Sequence, residues 1–127
     1  MRPETGGWWR QAQADLETAS LLRDAGRHYA ASWFAQQAAE KGLKALYIER
    51  KAALPPRTHD LEYLGQELDA PDVLQRVLKQ LNPAFELVRY PDSVTGQPPV
   101  DGITAELSGP HVDAAGQALE WVGECLT

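Results

Sequence analysis

Apolar residues recur along the chain at intervals of three and four, the spacing that gathers them on one face of an α-helix. Between about Trp8 and Ala25 they fall at Trp9, Ala12, Leu16, Ala19 and Leu22, and Gly26 follows as a C-terminal stop. The segment from about Tyr29 to Ala53 is apolar over more than half its circumference. Ala31, Phe34, Ala35, Ala38, Gly42, Ala45 and Leu46 form its stripe, and Trp33, Ala39, Leu43 and Ile48 widen it. A helix that apolar is covered by several neighbours, which makes it the central one. Its alanines and Gly42 let a partner helix approach closely, and Pro55-Pro56 ends it.

A third helix is predicted over about Thr58 to Leu68, with Leu61, Leu64 and Leu68 on one face, Thr58 as N-cap and Asp60 in the first turn. A fourth starts near Pro71 with Leu74, Val77, Leu78 and Leu81. Asn82-Pro83 then kinks it, or stops it before a restart at Phe85 and Val88 that Asn82 would cap. From Tyr90 to Pro110 periodicity fails, and a long functional loop is expected there. A last helix runs from about His111 to Leu126, with Pro110 at its start. No β-alternation and no repeat appear. The expectation is all-α: one domain over residues 1–127, an up-and-down antiparallel bundle of about five helices with one long loop before the last.

Composition changes this picture little, but charge narrows the function. Apolar residues at 43% and charged ones at 24% are ordinary for a globular domain. Twelve basic against eighteen acidic side chains give a net charge of -6, which disfavours broad phosphate binding and leaves room for one local basic pocket. Cys125 is the single cysteine, so no internal disulfide and no cysteine metal cluster can form. His28, His59 and His111 lack metal-ligand spacing and are expected to be solvated near helix starts. No metal and no cofactor is implied. With no signal-peptide pattern and no apolar run long enough for a membrane span, a cytoplasmic, mature-length protein without membrane attachment is expected.

Two places carry candidate chemistry. Arg89-Tyr90-Pro91-Asp92 puts a planar donor and an aromatic ring at the mouth of the loop, suited to a phosphate or carboxylate and to a stacked base. The competing reading is a helix end with Arg89 paired to Asp92 or an acidic neighbour. On the central helix Gln37, Lys41 and Lys44 share one side and Gln36 and Glu40 another. Lys41 and Lys44 form either a small basic stripe or, for Lys44 with Glu40, a surface ion pair. Lys41, Lys44, Arg89 and Tyr90 are thus the candidate ligand- or partner-binding residues, with no catalytic residue assigned.

These residues resemble the HEPN family of small helical-bundle domains. Trp9 with Asp15-Leu16 and Ala19 is similar to the family's first helix, and Ser32-Trp33-Phe34-Ala35-Gln36-Gln37-Ala38-Ala39-Glu40-Lys41-Gly42-Leu43-Lys44-Ala45 to its second. Thr58-His59-Asp60-Leu61 with Leu64 resembles the third, and Arg89-Tyr90-Pro91-Asp92 the end of the fourth. The resemblance implies homodimerisation, pairing with a minimal nucleotidyltransferase, nucleotide binding and, in many members, metal-independent ribonuclease activity. That activity goes with an arginine and a histidine separated by four to six residues. After Arg89 those positions hold Val94, Thr95 and Gly96. The general acid-base group is missing at that spacing from Arg89.

The expected function is therefore a non-catalytic nucleotide-binding or adaptor domain that dimerises and partners a minimal nucleotidyltransferase. The alternative is the ribonuclease toxin of a toxin–antitoxin pair, acting on RNA, with His59 or His111 brought beside Arg89 by the fold or across a dimer.

Overall fold

A computed structural model describes residues 1–91 and 96–127, and among them every regular element is helical. Five helices carry the bundle: α1 (Pro3–Asp24), α2 (His28–Lys51), α3 (Leu61–Glu67), α4 (Asp72–Leu81) and α7 (Ala105–Leu126). Two single turns, α5 (Ala84–Leu87) and α6 (Pro99–Gly102), complete the order. The all-α bundle predicted from periodicity is the observed architecture.

The chain reverses between α1 and α2 at Gly26, whose φ of 78° is the left-handed conformation that suits glycine. The Arg27 N–H donates to the Leu22 carbonyl and the Gly26 N–H to that of Arg23, closing a Schellman motif. At the far end Arg2 ties the start of α1 to the end of α2, its backbone N–H donating to Glu49 Oε1 (2.9 Å). α2 is then enclosed by α1, α7 and α3, with buried Ala31, Ala35, Ala39, Leu43 and Leu46 in the main core. A side chain at Gly42 would run into the Leu119 side chain of α7, so the glycine is what lets the two helices meet there.

Several boundaries differ from the sequence expectation, each for a local reason. Asp60, not Thr58, caps α3: its carboxylate accepts from the Glu62 and Tyr63 N–H groups, while Thr58 Oγ1 accepts from the Asp60 N–H. Asn82-Pro83 does separate α4 from α5, but Asn82 does not cap α5. Its side chain accepts from the Leu61 N–H (2.9 Å) and donates to Asp60 and Glu62, stitching the break to the start of α3. α7 begins at Ala105, six residues before His111, with Pro110 inside it. Proline there removes only the one N–H that would have met the Glu106 carbonyl, so the helix tolerates it near its start.

His111 is buried rather than solvated, its Nδ1 2.8 Å from the Ser32 hydroxyl. His28 makes the reciprocal contact with Ser108 (2.8 Å), so two His–Ser pairs pin the start of α2 to the start of α7. Burial lowers the His111 pKa below its ordinary value. A depressed histidine takes up its proton more readily when unfolded, so folding stability falls as pH drops below the unfolded value of about 6.5. The urea midpoint is expected to decline between pH 7 and 5.5, and to decline less in His111→Gln; equal slopes would exclude His111 as the cause.

Candidate functional site

α2 keeps one polar stripe inside the protein. Gln36 is fully buried, and Glu40 and Lys44 retain 6% and 7% exposure, so the Glu40–Lys44 pair is internal and not the surface pair that its spacing allows. Lys44 Nζ donates to Glu40 Oε2 (3.0 Å), and Gln36 Nε2 donates to Glu40 Oε1 (3.1 Å). His59, delivered by the segment before α3, sets its Nδ1 2.9 Å from Glu40 Oε1. Burial alone pushes the Glu40 carboxyl up; the hydrogen bonds from His59, Gln36 and Lys44 and the Lys44 charge outweigh it, and Glu40 titrates below its ordinary value. The carboxylate is therefore charged at neutral pH, and it accepts the proton on His59 Nδ1.

From His59 a column of flat groups extends outward. The imidazole stacks on Phe85 with centroids 4.0 Å apart and planes 20° from parallel. The Arg89 guanidinium carbon lies 3.6 Å from the same ring centre and 4.5 Å from that of Trp33. Two planar groups so close to one ring centre cannot share a face, so His59 and Arg89 cover opposite faces of Phe85. Arg89 also donates to the Phe85 carbonyl (2.7 Å), closing the end of α5. Burial draws its pKa down and Glu40's charge opposes this, yet an arginine so placed stays cationic.

The four residues singled out from sequence separate in space and state. Arg89 joins the column, and Tyr90 beside it in the chain is half exposed at 51%. Lys44 is committed to Glu40 and lies 6.0 Å from the Trp8 ring; Lys41 binds the buried Asp15 carboxylate (2.6 Å). Neither lysine is a free cation. Pairing of Arg89 with Asp92 falls outside the described residues. Sequence reasoning met Glu40 only as a surface partner of Lys44 and His59 only in the ribonuclease alternative, and passed over Phe85 and Trp33 as site members. The signal was the run of polar residues on an otherwise apolar helix, whose partners it could not name.

Below His59 an open cleft of about 620 Å³ is lined by Asp60, Glu62, Lys79, Asn82, Pro83, Phe85 and Glu86. No group of three or more potential metal ligands occurs among the described residues. None of the described helices is long and apolar enough to cross a membrane.

The architecture is an all-α bundle whose central helix carries a buried Gln–Glu–Lys cluster beside the Asp60-capped α3. The HEPN domain model matches residues 5–125, and the chain belongs to the HEPN family. Two solved structures are similar over essentially their whole length. One is the protein TT1696 from Thermus thermophilus, 28% identical with a TM-score of 0.87 over 97% of this chain and 98% of that one. The other is ST0689, an archaeal HEPN homologue, 26% identical with a TM-score of 0.81 over 100% of both chains. No curated protein matches the chain.

Removing one member of a buried ion pair strands the other, at a cost of about 3 kcal/mol. Lys44→Met is expected to lose that much in urea unfolding, whereas Glu40→Gln combined with Lys44→Met loses less than Lys44→Met alone. A larger loss in the double variant would show that the pair is not what holds the cluster.

Proposed function

We propose that this chain is a nucleotide-binding adaptor of the HEPN family, without chemistry of its own, that forms a homodimer and works with a minimal nucleotidyltransferase. The observation that carries the nucleotide part is Arg89, held flat over Phe85 and Trp33. The rings immobilise the guanidinium before any ligand arrives, and among the described residues one of its donors is taken, by the Phe85 carbonyl. A pre-set planar donor suits a phosphate. The net charge of -6 makes such a local site, rather than a basic surface, the place for an anion. Membership of the HEPN family is what supports dimerisation and the nucleotidyltransferase partner. Exposed Tyr90 offers that partner an aromatic edge. Arg89→Ala is expected to leave the helical circular dichroism intact and weaken ATP binding in calorimetry by roughly 10- to 100-fold, the contribution of a charged hydrogen bond. Unchanged affinity would reject the site.

One observation favours a second reading, RNA cleavage. Glu40 holds His59 Nδ1, and among the described residues nothing is bonded to Nε2 on this exposed ring. A carboxylate-oriented imidazole with a free nitrogen is the form of a general base. Cleavage of cellular RNA by the purified protein, lost in His59→Ala, would support it. Intact RNA at high protein concentration would end it.

A further inference from the structure

The column His59–Phe85–Arg89–Trp33 has two ends, and they differ in charge. The His59 end opens on the cleft, where Asp60, Glu62 and Glu86 face the single ammonium of Lys79. Three carboxylates repel a phosphate there. The Trp33 end is the reverse. The first turn of α2 carries no acidic residue, and Tyr29, one turn before Trp33 on the same face, lies under the Arg27 guanidinium (5.9 Å). Two arginine-over-aromatic pairs thus occupy successive turns of α2 in a chain that is acidic overall.

Trp33 is 38% exposed although Arg89 covers one of its faces. An indole with this much surface in solvent can serve as a stacking platform for a flat ring. The guanidinium directs its N–H groups within its own plane, so an anion meets Arg89 at its edge, alongside the indole. A flat ring laid on the side of Trp33 away from Arg89 is two stacking layers from that edge. A ribose and its 5′ phosphate span such an offset.

We propose that the face of Trp33 away from Arg89 and the edge of the Arg89 guanidinium form one nucleoside-phosphate subsite, with the base on the indole and the phosphate on the arginine. This rests on the nucleotide-binding reading and adds where the base sits. Recognition through an indole face is indifferent to base identity, because no hydrogen bond reads the base edge.

The test compares ATP with inorganic triphosphate by calorimetry on the full chain. The unmodified protein is expected to bind ATP more tightly than triphosphate. Trp33→Ala is expected to weaken ATP about tenfold more than it weakens triphosphate, the contribution of one base–aromatic stack. Trp33→Phe, which keeps a stacking ring, is expected to recover most of the loss. If Trp33→Ala leaves ATP affinity unchanged, the base lies elsewhere and the subsite is rejected while nucleotide binding stands. Equal weakening of both ligands would mean that Trp33 acts only by supporting Arg89, and also rejects it. Failure of the unmodified protein to bind ATP rejects the nucleotide reading itself.

Discussion

A carboxylate inside a helical bundle must be neutralised where it stands, and Glu40 imposes that constraint on everything around it. Its two oxygens take hydrogen bonds from Lys44, Gln36 and His59, drawn from its own helix and from the segment leading into α3. Desolvation of the charge is offset only when all these partners are in place. Each partner is therefore held as firmly as the fold itself. His59 gains a fixed ring plane, Phe85 stacks on that plane, Arg89 lies on Phe85, and Trp33 closes the far side. The exposed end of the column inherits its order from the buried end.

α2 can carry this polar column because its other faces are so small in volume. Fully buried alanines at 31, 35, 38, 39 and 45, with Gly42, bring α1 and α7 close to its axis. Close packing on that side leaves the turn of helix bearing Gln36, Glu40 and Lys44 free to face the α3–α5 side, where the shorter elements supply single polar and aromatic groups. Asn82 joins these elements, accepting from the first N–H of α3 while sitting in the break between α4 and α5. The kink that Asn82-Pro83 makes in the sequence is thus the hinge point that sets Phe85 against His59.

Most of the fold was legible because period and punctuation are local properties. The five helices, the stop at Gly26, the central place of α2 and the interruption at Asn82-Pro83 all follow from spacing and residue type. Burial of the Glu40–Lys44 pair was not legible, since a surface pair and an internal one share the same i, i+4 spacing. His111 was expected in solvent from its place near a helix start, yet α7 begins earlier and buries it against Ser32. Of the candidate site, Arg89 was marked by the proline after it. His59 was visible only as one of two histidines that a fold could bring beside Arg89, and Trp33 only as a member of α2, because their meeting with Arg89 is made by tertiary packing on Phe85.

That meeting also bears on the missing histidine. A motif written as arginine, a few residues, then histidine describes groups close along the chain, and no such histidine follows Arg89. The fold supplies an imidazole from another segment, but with the Phe85 ring between it and the guanidinium. Two groups divided by a ring cannot grip the same small phosphate from adjacent positions. They can touch different parts of an extended ligand, or one can hold a ligand while the other, tied to Glu40, keeps the column in order. The second arrangement asks nothing of His59 beyond what Glu40 already imposes. It also places the cation on the side of Phe85 away from the acidic cleft, where an anion meets least repulsion. Binding through Arg89 therefore stands ahead of cleavage through the His59–Arg89 pair.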